Sequence, residues 1–237
     1  MSPPLAATRR FYIGVGLLVA VIAFVGFWPT YFGPLLAGTV DKIPLIHFHA
    51  AVYVGWLLIF ITQTVFAARR RVDLHITLGT IGIGYGVFVV IVGLLVGFGM
   101  FAVRVQAGAV DEARDRLVGP LFDMAVFTPL FAAAVYYRRK PELHKRLMIV
   151  ATTTLLVAAV VRMRFLGNPG NDVLVLLVWS SPILLAMGYD FAKRRILHPV
   201  YVLGLVVLVL ESPVVRRMVR ASDTWRDVSE WLVTFVR

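Results

Sequence analysis

Seven runs of about twenty mostly apolar residues, separated by short polar links, constrain this 237-residue chain more than any motif in it. They lie at residues 11–33, 44–67, 76–103, 117–137, 147–166, 173–191 and 197–215. A helix of about twenty residues rises roughly 30 Å, the thickness of a bilayer's hydrocarbon core. A soluble fold of this length has too little interior to hide seven such runs. The composition agrees: 59% of residues are hydrophobic and 16% charged, against about 25% charged in ordinary soluble domains. Mean hydropathy is +0.84. The expected fold is all-α, a single integral membrane helical bundle over residues 1–237, with no internal repeat. An amphipathic C-terminal tail rich in Trp225, Trp231, Leu232 and Phe235 should lie on the membrane surface.

The fifth and seventh runs are the weakest. The fifth carries Arg162 and Arg164 near its end, and the seventh has Glu211 before Pro213. Residues 104–116 mix acidic and basic side chains and read as an interfacial helix or a loop. The first run is longer than the 7–15 residues of a signal-peptide core, so it is expected to be retained as a span.

The chain has no cysteine, which excludes disulfides, thiolate metal sites and iron–sulfur clusters. Its formal charge of +11 is not a nucleic-acid signature, because the basic residues cluster between apolar runs. Such clusters set topology and meet anionic lipid. Arg69–Arg71, Arg138–Lys140 and Lys193–Arg195 would share one side with Arg9 and Arg10. That bias places the N-terminus in the cytoplasm, as in a bacterial cytoplasmic membrane protein, and the C-terminus opposite if the seventh run crosses.

Five histidines carry the chemical signal. His75, His144 and His198 fall at run ends on the N-terminal side, where Asp190 closes the sixth run. Three imidazoles and a carboxylate suit zinc, iron or another transition metal, and two imidazoles alone suit a haem iron. The bland alternative is that each histidine decorates a helix end. Along the third run, His75, Gly79, Gly82, Gly86, Gly93 and Gly97 share one helical face. Small residues so spaced let helices approach closely; the other reading is room for a flat cofactor.

On the second run His49, Tyr53, Trp56, Phe60 and Gln63 form a polar and aromatic stripe expected to face inward. Tyr53 and Trp56 would fill the core there, or stack on a bound ring. His47, two residues from His49, should point elsewhere. Asp123 in the fourth run is expected to pair with Arg162, because ionisable groups at membrane depth are usually paired. Pro129 and Pro182 are expected to kink their helices. No lysine stands in the last run for a retinal Schiff base, and no GxSxG, HExxH or P-loop is present.

Several of these pieces resemble an uncharacterised family of bacterial polytopic membrane proteins: His47-Phe48-His49, Leu74-His75 with Leu78-Gly79, His144-Lys145-Arg146-Leu147, Gly188-Tyr189-Asp190 and His198-Pro199. That resemblance implies no activity. The histidine placement is also similar, more weakly, to the six-helix di-haem cytochromes b, in which histidines of alternate helices hold two haems. His75 and His144 match one haem pair. His49 matches half of the other, and the fourth run has no histidine to complete it.

Three functional expectations follow. One is a redox or metal protein holding haem b or a transition-metal ion on His75, His144 and His198, aided by Asp190. The second is a transporter or small-molecule-binding membrane protein built on His49, Tyr53, Trp56, Gln63, Asp123 and Arg162. The third is a structural or assembly subunit of a larger membrane complex. Lipid is the partner common to all three, and the sequence does not settle whether the protein is an enzyme.

Overall fold

The computed structural model describes residues 5–163 and 171–236. Among them there is helix and no strand. The chain runs α1 (Leu5–Phe27), a π-helical turn (Trp28–Phe32), α2 (Gly33–Leu36), α3 (Pro44–Ala68), α4 (Val72–Gln106) and α5 (Val110–Tyr136). After a 3₁₀ turn come α6 (Pro141–Thr154), α7 (Val157–Val160), α8 (Asp172–Arg194), α9 (Pro199–Leu210), α10 (Pro213–Arg220) and α11 (Asp223–Thr234). Proline opens α3, α6, α9 and α10, where its missing N–H would have no partner anyway.

Six segments are long and apolar enough to cross a membrane: Arg10–Leu36, Pro44–Ala68, Val72–Gln106, Val110–Arg139, Pro141–Val160 and Asp172–Arg194. This is a multi-pass membrane protein. The seventh expected run, 197–215, is divided. Helix α9 has only 12 residues, about 18 Å, too short for a roughly 30 Å core. The chain turns at Glu211 and Ser212, and the Ser212 hydroxyl caps α10 by accepting from the Val215 N–H. Even so, the two pieces together join the two ends of α8. Tyr201 near the start of α9 lies under Arg146, which pairs with Asp190 in the last turns of α8. In α10, Arg217 pairs with Asp172 in the first turn of α8 at 2.6 Å. Helix α11 then packs against the first turns of α5 through Val233, Ala113 and Leu117, so the C-terminal helix lies at the opposite end of the bundle from the start of α1.

Two boundaries differ from expectation. Residues 104–116 are neither loop nor separate interfacial helix: α4 continues to Gln106 and α5 begins at Val110. Gly108, at φ +80°, makes the tight link between them, a conformation that favours glycine. Ion pairs Arg104–Glu112 and Arg116–Glu112 tie the junction. The fifth run starts six residues earlier than expected, at Pro141, and breaks after Thr154. Arg164, at its expected end, lies outside the described residues. Helices α5 and α8 run unbroken through Pro129 and Pro182.

Helix α6 occupies the centre, against α1, α5, α8 and α9. Its residues Leu147 and Ile149–Thr154 are all buried, so Thr152-Thr153-Thr154 faces protein and not lipid. Trp179 of α8, fully buried, donates its indole N–H to the Thr153 carbonyl at 2.7 Å. Outside, large apolar side chains such as Leu17, Val21, Ile81, Ile91, Leu95, Leu203 and Val206 face outward. Such a surface requires lipid.

The glycine face of α4 is packing surface. A methyl group on Gly86 would enter the Phe131 ring of α5, and one on Gly93 would meet the Tyr53 hydroxyl and the Met124 sulfur at 2.6 and 2.7 Å. At Gly97 it would meet Pro120 at 2.8 Å. Against this face Phe127 and Phe131 stack in parallel, with Trp56 edge-on to both. The glycines are filled by side chains of α3 and α5, and leave no slot for a flat cofactor. Gly86→Ala should therefore destabilise the bundle by about 1–3 kcal/mol through overpacking. Gly84→Ala, with nothing within 4 Å of the added methyl, should be neutral or slightly stabilising. Thermal unfolding in mild detergent measures both.

Candidate functional site

The expected histidine centre assembles only in part. His75 at the start of α4 and His144 at the start of α6 meet edge to face, with ring centroids 6.3 Å apart. His144 Nδ1 bonds the Ala134 carbonyl at 2.8 Å, and His75 Nδ1 bonds the Gln63 backbone carbonyl at 3.3 Å. A carbonyl only accepts, so each ring carries a proton on Nδ1, and it is the neutral form that presents a lone pair at Nε2. Gln63 closes the arrangement by donating its amide to the His75 carbonyl at 3.0 Å.

His198 and Asp190 do not join them as ligands. His198 caps α9, its Nδ1 accepting from the Val200 N–H at 3.3 Å. Asp190 is taken by other partners: Tyr12 donates its hydroxyl to Oδ1 at 2.9 Å, and Arg146 donates Nε to Oδ2 at 2.9 Å and adds Nη2. Among the described residues no group of three or more histidine or carboxylate side chains is placed to hold a metal ion. The four-ligand centre is corrected to a two-imidazole contact and a separate ion-pair network.

That network is structural in form. Arg146 is 2% exposed and Asp190 3%. Glu142, one turn before Arg146, meets it at 2.9 Å and also pairs with Arg194 and Lys145. The Tyr201 ring lies 5.7 Å from the guanidinium, and Phe11 stacks on Tyr189 at 3.9 Å. Helices α1, α6, α8 and α9 meet here.

The opposite end of the bundle holds a second set of buried charges, and it corrects the expected Asp123–Arg162 pair. Asp123 of α5 binds Arg216 of α10 at 2.5 Å. Arg162 instead donates to the Ala158 carbonyl and sits over the Phe27 ring, 5.0 Å from its centre. Arg216 also donates Nε to the Glu211 backbone carbonyl at 2.8 Å and lies 5.8 Å from the Phe122 ring centre. Its Nη2 is 3.6 Å from the Glu211 carboxylate. Glu211 is wholly buried. This pairing was hidden in the sequence because Arg216 lies just beyond the expected end of the seventh run. The one available signal was the Glu-Ser-Pro break, after which Arg216 turns back into the bundle while Arg217 stays exposed.

The α3 stripe does face inward. Trp56 and Phe60 are buried. Tyr53 places its hydroxyl 3.4 Å from the Val89 carbonyl and 3.8 Å from the Met124 sulfur, and its ring lies 4.2 Å from His49. His47 points away, bonding the Tyr31 hydroxyl at 3.0 Å. Three buried polar atoms on this helix have no hydrogen-bond partner: His49 Nδ1, Trp56 Nε1 and Gln63 Oε1. They recur every seven residues, hence on one face, and span roughly 21 Å along the axis.

No family model, curated protein or solved structure matches the chain. The two resemblances rest on the motifs that carry them.

The buried ion pair gives a direct test of its role. Asp190→Asn leaves the buried Arg146 guanidinium with only half-exposed Glu142 as counter-charge and should destabilise the protein by about 3 kcal/mol. Replacing both partners, Arg146→Met with Asp190→Leu, should restore most of that loss in the same thermal unfolding assay.

Proposed function

We propose that this multi-pass membrane protein binds and passes a small polar solute through the bundle. Asp123, Arg216 and Glu211 form the recognition end, and the inward face of α3 forms the path. One observation carries the reading: the file of partnerless buried polar atoms at His49, Trp56 and Gln63. Buried polar groups are nearly always hydrogen-bonded. Three in line, over most of the thickness of a bilayer core, suit a route on which a passing solute or water supplies the partners. The charged groups at one end support the same reading, since ionisable side chains within membrane bundles usually mark solute or ion pathways. Arg162, within electrostatic reach of both Asp123 and His49, adds positive charge to that end.

Protein in nanodiscs, screened against a panel of small polar solutes by thermal shift, should find a stabilising solute. Asp123→Asn should abolish that shift and His75→Ala should preserve it. Equal loss in both variants would sink the assignment.

A haem or metal centre is the second reading, favoured by the His75–His144 contact. Two imidazoles holding one ion at about 2 Å each would set their ring centres roughly 5 Å apart at a tetrahedral angle and roughly 6 Å when opposed, and theirs are 6.3 Å apart. Nδ1–H bonds to carbonyls also orient metal-ligating histidines in general. A porphyrin does not fit, because Gln63, Ile59 and Phe131 fill the α4 face beside the pair. A single ion is the form of this reading that the residues allow. The purified protein should show no Soret band. A band at one haem per chain that His75→Ala removes would restore the redox reading.

A further inference from the structure

The carboxylates at the far end of the bundle outnumber their cation. Asp123 and Glu211 face a single guanidinium, Arg216. The contacts are unequal. Arg216 Nη2 lies 2.5 Å from Asp123 but 3.6 Å from Glu211, while Nε is spent on the Glu211 backbone carbonyl and Nη1 reaches the Gly119 carbonyl at 3.4 Å. Glu211 is 0% exposed, and neither oxygen of its carboxyl has a hydrogen-bond partner. Among the described residues none of the other charged and titratable groups of this end bonds Glu211, although Arg162 lies within electrostatic reach of Asp123 and the Arg220 Nε is buried without a hydrogen-bond partner. Arg162 is bonded to Ala158 and lies over Phe27, and Arg217 is held by Asp172. Tyr53 directs its hydroxyl to Val89 and Met124, and His49 contacts Tyr53. Among the described residues no second cation pairs with Glu211.

An ionised carboxylate without hydrogen-bond partners inside a bundle carries a large desolvation penalty, and two carboxylates sharing one site cannot both ionise freely. We propose that Glu211 is a proton-binding site: one proton rests on its carboxyl while Asp123 stays ionised against Arg216. Release of that proton to water leaves a second carboxylate competing for the same Nη2. The competition is relieved where the chain is already broken, at the Glu211-Ser212 turn between α9 and α10. Proton occupancy thereby biases the position of α10. The proposal deepens the solute reading by giving the same end of the bundle its coupling ion, but its test uses no solute and so fails or stands separately.

The full chain in nanodiscs, titrated under infrared spectroscopy, should show a carboxylic-acid C=O band worth one proton per chain at neutral pH. Carbon-13 labelling of glutamate should shift the band in the unmodified protein. Glu211→Gln should remove it and leave the thermal midpoint no longer dependent on pH over the range where the band titrates. A band unmoved by glutamate labelling places the proton elsewhere and overturns the proposal. So does a band that survives Glu211→Gln in full, or its absence at every pH. Loss of the band on adding sodium at fixed pH would make this a sodium site and overturn it equally.

Discussion

A guanidinium inside an apolar bundle has to be paired, and Arg146 is where that constraint acts hardest. It sits at 2% exposure on the central helix, with Asp190 of α8 on one side and Glu142 on the other. Tyr12 of α1 completes the Asp190 carboxylate, and Tyr201 of α9 covers the guanidinium. Three helices, α1, α8 and α9, are thus registered against α6 by one charged cluster. A buried ion pair contributes little net stability over apolar packing. Its consequence is positional: any shift of α8 relative to α6 strands a charge in a medium of low dielectric.

The other end of the bundle uses the same chemistry with a different balance. Around Arg146, carboxylates and cations are spread over Asp190, Glu142, Arg194 and Lys145, and the cluster reaches the bundle surface through half-exposed Glu142. Around Arg216, two carboxylates converge on one arginine, and Glu211 has no surface at all. The first arrangement fixes helices. The second leaves one carboxyl, Glu211, without a hydrogen-bonded partner at a helix break, which is the physical ground for assigning it a proton. Between them runs the α3 face, whose polar atoms lack partners in an otherwise tightly packed bundle.

Much of this was legible in the sequence. Apolar length announced the spans, and seven-residue spacing announced the inward stripe of α3, because both are properties of a single helix. The glycine face of α4 was also visible, and so was its packing role. What failed were statements about pairs. His198 and Asp190 stood at the right depth for a metal centre, yet each had a closer partner: the Val200 N–H for one, Tyr12 and Arg146 for the other. Asp123 was assigned to Arg162, an arginine expected inside a span toward the same face. The chain instead brings back Arg216, 93 residues on, by breaking its last crossing.

By itself the sequence determined that this chain lives in lipid as an all-helical bundle, and which face of α3 and α4 turns inward. Those follow from hydrophobic length and from the 3.6-residue period, which local chain geometry imposes. Only the tertiary structure decided which charges meet, since depth in a membrane fixes one coordinate of a side chain and helix rotation and neighbour order fix the others. It reduced the three-histidine centre to a two-imidazole contact. It also moved the chemical interest to Glu211, a residue whose position in sequence, before a proline at the end of the weakest span, gave no sign that its carboxyl is buried without a hydrogen-bond partner.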